Sequence, residues 1–148
     1  MLNSLLQTNA DWTGLILRLV LALVIFPHGA QKVLGWFGGY GYAGTMQYFT
    51  KTLGLPTTLG FLGILAEFAG PLVLVLGFGT RVAALLIAAV MIGAVVLVHR
   101  PTGFFMNWLG QHKPGAEGYE YHLLVIAICA ALLVTGGGAF SLDRLLVG

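Results

Sequence analysis

Charge is what this sequence has least of. Asp, Glu, Lys and Arg together make up 8% of the chain, five acids against seven bases, too little polar surface to cover a water-soluble domain. The net charge of +2 is spread over isolated residues, which excludes the basic tract that nucleic acid requires. Cys129 is the single cysteine, so an intrachain disulfide, a CxxC redox pair and a multi-cysteine metal site within one copy are all excluded. No flavin, haem or iron–sulfur motif is present, so any redox chemistry needs a bound cofactor or substrate and a separate electron donor. The first eleven residues, "MLNSLLQTNAD", carry no Lys or Arg and no small-x-small site follows the first apolar run. A removable signal peptide is therefore not expected.

What the chain has instead is apolar length. Hydrophobic residues make up 58% of it, with 22 glycines and a mean hydropathy of +0.93, the composition of an integral membrane protein. About 20 apolar residues cross a bilayer core, and four segments approach or meet that length: 12–34, 58–78, 82–98 and 119–136. These predict an all-α membrane protein, one four-helix up-down bundle over 1–148. Spans two and three form a hairpin on the turn "GFGTR", where Gly77 or Gly79 ends one helix and Thr80 caps the next. Small residues at helical spacing, such as Gly63, Ala66 and Gly70, let helices approach closely. In the first loop, "GTMQYFTKTLGLP" places Met46, Phe49 and Leu53 on one face and predicts a short interfacial helix. The second loop, "RPTGFFMNWLGQHKPGAEGYE", is rich in helix breakers and is expected to lie over the bundle mouth.

The two ends of such a bundle differ. All five tyrosines and two of the three tryptophans, Trp36 and Trp108, fall at the end carrying the two long loops. An interfacial belt would populate both ends, so the surplus suggests a lid. Orientation is undecided by charge: Arg18, Arg81 and Arg144 lie toward the terminal end, Lys32, Lys51, Arg100 and Lys113 toward the looped one. Arg18 and Lys32 could each simply snorkel to the interface.

Polar groups inside the spans are few and costly. Glu67 stands near the middle of span two, where an ionised side chain costs roughly 2.5–3.5 kcal/mol on insertion scales. His28 lies about 9 Å below the looped end of span one and Glu67 about 15 Å below the same end of span two. Side chains lean toward their own helix N-terminus, which brings the two together, while Pro27 and Gly29 loosen the helix around His28. His28 and Glu67 are the candidate catalytic pair. Lys32, Trp36, His99, Glu120 and Tyr121 join them as candidate ligand-binding residues, a pocket deep at His28 and Glu67 and shallower at the rest. His99, Tyr121 and His122 could each instead be ordinary interfacial residues. No His-His pair at i, i+4 and no Glu-x-x-His is present, so no metal site is expected.

The stretches "RLVLALVIFPHGAQKVLGWFGG", "GTMQYFTKTLGLP", "AEFAGPLVLVLGFGTRVAALLIAAVMIGAV", "HRPTGFF" and "GYEYHLLVIAICAALLVTGGGAFSLD" resemble the DoxX family of bacterial membrane proteins, from about Arg18 to Asp143. The resemblance implies a multi-pass protein of the bacterial plasma (inner) membrane with cytoplasmic termini and a link to redox metabolism, including thiosulfate:quinone oxidoreductase, thiol or oxidative stress, and catechol or quinone detoxification. The expected function is that of a membrane subunit of a quinone-linked oxidoreductase system. A quinone or similar apolar ligand would sit near the looped face, His28 donating to a carbonyl, Glu67 orienting it or relaying a proton, and Tyr121 with Trp36 against the ring. The alternatives are a small proton-coupled transporter using Glu67 and an assembly subunit anchoring a soluble redox enzyme. Expected partners are the lipid bilayer, a soluble redox enzyme or sister membrane subunit, and further copies of the chain.

Overall fold

The computed structural model describes residues 6–110, 113 and 116–147, and among these every regular element is helical. Helix α1 spans Trp12–Leu34, started by the Asp11 carboxylate on the Gly14 N–H at 3.2 Å and stopped by Gly35 at φ 72°. After a 3₁₀ turn at Trp36–Gly38, the short helix α2 (Gly41–Gln47) runs into a π-helical turn at Tyr48–Thr52. Met46 and Phe49 of this segment lie over Gly60, so the apolar face expected there is spent on α3. Helix α3 spans Thr57–Leu76 and ends where the Gly77 and Phe78 N–H groups turn back onto Leu74 and Val73, a glycine-ended C-cap.

Helix α4 (Thr80–Ala94) continues through a π-helical turn at Val95–His99 and a 3₁₀ turn at Arg100–Thr102. The third span was expected to end at Val98; it is longer, because Pro101 begins a tight turn that the helix can enter without an N–H from that residue. Helix α5 spans Glu120–Thr135 and α6 Leu142–Val147. Three helices, Trp12–Leu34, Thr57–Leu76 and Thr80–Thr102, are long and apolar enough to cross a membrane, and α5 is a shorter apolar helix. Only 28–39% of the apolar windows of the three is buried inside the protein. Their outward faces, with Leu23, Leu62 and Leu85 exposed, need lipid to cover them.

Helices α1, α3, α4 and α5 enclose one core, in which Leu21, Ile25, Leu74, Ile87, Val125 and Leu132 are buried. Helix α1 lies chiefly on α3 and α5 chiefly on α4, and the α1–α5 seam is the slightest of the four. The expectation of a closed second loop falls partly on residues 111, 112, 114 and 115, outside the described residues.

The terminal end is held by two buried charges. Arg18 does not snorkel: it is 2% exposed. Its Nε donates to the Gly137 carbonyl at 3.0 Å, Nη1 to Leu74 at 2.8 Å and also to Val75, and Nη2 to Ala139 at 3.3 Å and Phe140 at 2.9 Å. All five guanidinium N–H groups are thus used, two of them on the negative end of α3. The cap of α4 also differs from expectation. Asp143, 1% exposed, accepts from the Gly79 N–H at 2.6 Å and the Thr80 N–H at 2.8 Å. A full carboxylate at a helix N-terminus is a stronger partner than the Thr80 hydroxyl.

Replacing Arg18 by Met should strand several buried carbonyls at about 1–3 kcal/mol each. The thermal midpoint in detergent should fall sharply, with Arg18→Lys in between because an ammonium has three donors in place of five. An unchanged midpoint in Arg18→Met would refute this account.

Candidate functional site

The polar groups gather at the looped end, and backbone geometry brings them there. Pro71 has no N–H, so the Glu67 carbonyl one turn earlier has no helical partner. Gly29 of α1 sits against that carbonyl: a Cβ built on Gly29 would lie 2.2 Å from it and 2.6 Å from the Phe68 Cα. Only glycine permits this approach. Phe26 and Phe68, stacked at 5.9 Å, brace the same contact from outside. The backbones of α1 and α3 thereby touch at the level of the buried acid.

Glu67, 4% exposed, makes an ion pair with Lys32, and this corrects the expected geometry. Lys32 is the partner of the acid, where the sequence pointed to His28. The long Lys stem reaches down from one turn above, and α1 places His28 on the flank toward α5. His28 is exposed, with its ring 6.0 Å from that of Tyr121. Tyr121 lies 5.5 Å from His122, and His122 lies 4.2 Å from His99. Four rings thus form a row across the mouth, from α1 over the first turn of α5 to the end of α4, beside the Lys32–Glu67 pair.

His99 Nδ1 lies 2.8 Å from the Glu117 carbonyl. A carbonyl can only accept, so that nitrogen carries the proton. The π-helical turn at Val95–His99 advances this helix end by an extra residue per turn and delivers His99 to the row. His122, 7% exposed, is the member that sequence reasoning left aside. Its signal was present in "YEYH", where Tyr121 and His122 occupy neighbouring faces of one helical turn. Two buried atoms in this row, the Tyr121 hydroxyl and His122 Nδ1, have no hydrogen-bond partner among the described residues.

Two candidate residues are not brought into the row. Trp36 is 53% exposed and meets Phe37 edge-on at 6.3 Å, because Gly35 at φ 72° turns the chain outward at the end of α1. Glu120 fastens the second loop, accepting from the Trp108 indole N–H at 2.6 Å and the Met106 N–H at 3.2 Å. Glu117 does the same for the Asn107 N–H at 2.7 Å. Two concavities lie away from this row. A groove of about 460 Å³ runs along the outer side of the α1–α3 contact, between Pro27 and Pro71, and a hollow of about 550 Å³ lies within residues 102–109. Among the described residues no three His, Cys, Asp or Glu side chains converge as a metal ion would need.

A buried ion pair adds little net stability over an apolar pair of the same volume, whereas removing one partner costs about 3–5 kcal/mol. Lys32→Met alone and Glu67→Met alone should each lower the thermal midpoint, and the double variant should recover most of the loss. A double variant as unstable as the worse single would contradict the pairing.

Comparison with known proteins places the chain beside membrane proteins. The chain is 33% identical over 132 residues to "Inner membrane protein YqjF" of Escherichia coli (strain K12), covering 89% of this chain and 90% of that protein. It is 31% identical over 129 residues to "Putative oxidoreductase CatD" of Bacillus subtilis (strain 168), covering 87% and 83%. It is 28% identical over 132 residues to "Inner membrane protein YphA" of Escherichia coli (strain K12), covering 88% and 87%. No solved structure matches. The DoxX family model matches residues 13–100, more than half of the chain: this is a membrane protein of the DoxX family.

Proposed function

We propose that this protein is the membrane subunit of a quinone-linked oxidoreductase system, holding a quinone or similar oxygen-bearing ring against the row His28–Tyr121–His122–His99. The observation that carries the reading is the exposed His28 ring beside Tyr121 and the Lys32–Glu67 pair, at the looped end of the loosest helix seam. An apolar molecule dissolved in the bilayer reaches that seam sideways, without crossing water. The relative that carries the name "Putative oxidoreductase CatD" points the same way. A quinone supplies two-electron, two-proton redox chemistry, and the electrons come from a separate donor protein.

The residues present suit such a ring. His28 offers a ring nitrogen to one of its oxygens, and the Lys32–Glu67 pair fixes the local charge beside it. Buried polar atoms without partners in the same row leave hydrogen-bonding capacity for a ligand. A proton-coupled transporter fits less well. Beneath Glu67 the core is closed by Leu21, Leu74, Ile87, Val125 and Leu132, each at most 2% exposed, so no polar path continues toward the terminal end.

All four long helices, α5 included, cross the plasma membrane in this reading, with both termini in the cytoplasm and the looped end outside. The sixteen residues of α5 rise about 24 Å, and Tyr119 with Trp108 sits at the interface beyond them. The second loop is the natural contact for the donor or a sister subunit. Phe105, Trp108 and Leu109 are 71–82% exposed, on a loop already fixed by Glu117 and Glu120.

Decylubiquinone titrated into purified protein in nanodiscs should bind saturably. The Lys32→Met/Glu67→Met double variant should keep its fold while binding at least about tenfold more weakly, because the His28–ring hydrogen bond loses the charges beside it that polarise it. Equal affinity in the double variant would defeat the site. Trp108→Ala should leave this titration unchanged and abolish co-purification of the partner; retained co-purification would remove the docking role.

A further inference from the structure

We infer that Tyr121 is the specificity residue of this site: its hydroxyl donates a hydrogen bond to an oxygen of the bound ring, so that oxygenated rings are selected over hydrocarbon rings of the same shape. The inference rests on the quinone-site reading and adds to it the atom that reads the ligand. The sequence had given this residue only a stacking role.

The hydroxyl of Tyr121 is buried and finds no partner among the described residues. Leaving a buried hydroxyl unpaired is costly, and nearly all such groups in folded proteins are paired with protein or with something bound. The neighbouring groups are already engaged or turned elsewhere. Glu67 is held by Lys32, Glu120 by the Trp108 indole and the Met106 amide, and His99 by the Glu117 carbonyl. Phenylalanine would fill the same space without the penalty, so the packing of the described residues does not account for the oxygen.

The position makes a ligand the natural partner. Tyr121 stands at the first turn of α5 on the side facing α1, and the ring across from it, His28, is the exposed member of the row. A planar molecule reaching the looped end of the α1–α5 seam meets the exposed His28 ring first, with the Tyr121 ring next to it, 6.0 Å away. The next residue supplies a second buried atom, His122 Nδ1, so two adjacent side chains carry hydrogen-bonding capacity unused among the described residues. Sites built to hydrogen-bond a substrate oxygen reject the analogue lacking it far more strongly than apolar pockets reject a change of size.

The test compares 2,3-dimethyl-1,4-naphthoquinone with 2,3-dimethylnaphthalene, the same bicyclic skeleton without its two oxygens, by equilibrium binding to protein in nanodiscs. The wild-type protein should prefer the quinone by at least about tenfold, the ratio that one hydrogen bond to a buried group supplies. Tyr121→Phe should erase that preference, mainly by weakening quinone binding, and the infrared carbonyl band of the bound quinone should move to higher frequency. Because the hydroxyl has no partner among the described residues, the ligand-free variant should melt no lower than wild type. A preference retained in Tyr121→Phe overturns the inference and leaves the quinone site standing. A variant that fails to fold also overturns it, since the hydroxyl would then have a structural partner. If the wild-type protein binds neither compound saturably, the quinone site itself falls.

Discussion

At Gly29 the backbones of α1 and α3 meet with no side chain between them, and the arrangement of the looped end depends on that contact. Pro71 leaves the Glu67 carbonyl without its helical N–H, and in lipid no water compensates. The neighbouring helix therefore has to come close enough to cover it. Closeness at this level brings Lys32, one turn above Gly29, within reach of the Glu67 carboxylate and turns His28 toward α5. One missing hydrogen bond in α3 and one missing side chain in α1 together determine which charge neutralises the acid.

The terminal end obeys the same requirement by other means. There the unsatisfied groups are the last carbonyls of α3, the first amides of α4 and the carbonyls of the glycine-rich turn before α6. Arg18 covers the carbonyls and Asp143 the amides. Both charges are spent on backbone groups. At the looped end the Lys32–Glu67 charges meet side chain to side chain, and the Tyr121 hydroxyl and His122 Nδ1 keep hydrogen-bonding capacity unused among the described residues.

Much of the fold was legible in the sequence because apolar length and glycine punctuation are local signals. The limits of α1, the short α2 segment and the Gly77–Gly79 turn could be read from a few neighbouring residues each. The cap on α4 could not, since Asp143 is distant in sequence and only folding brings it to Thr80. The candidate site was legible as a set and misread in its pairings. Counting residues along each helix gives depth, which placed His28, Lys32, Glu67, His99 and Tyr121 at one end. Rotation about each helix axis is set by packing, and that decided Lys32 over His28 as the partner of Glu67. Trp36 and Glu120 were misplaced because the backbone beyond a helix end, a left-handed glycine in one case and a folded loop in the other, is not periodic. His99 was reached only through a π-helical turn, which shifts the angular register that simple counting assumes.

The cradle around Arg18 has a consequence for the order of biogenesis. Two of its five acceptors, Leu74 and Val75, lie 56 and 57 positions downstream, while the other three lie 119 to 122 positions downstream. A growing chain therefore commits its guanidinium to the bilayer when at most two acceptors have been synthesised. The rest arrive only after the ribosome has produced nearly everything else. Insertion of the earlier helices is provisional until that late turn docks, and the finished protein is closed from its last-made segment backward.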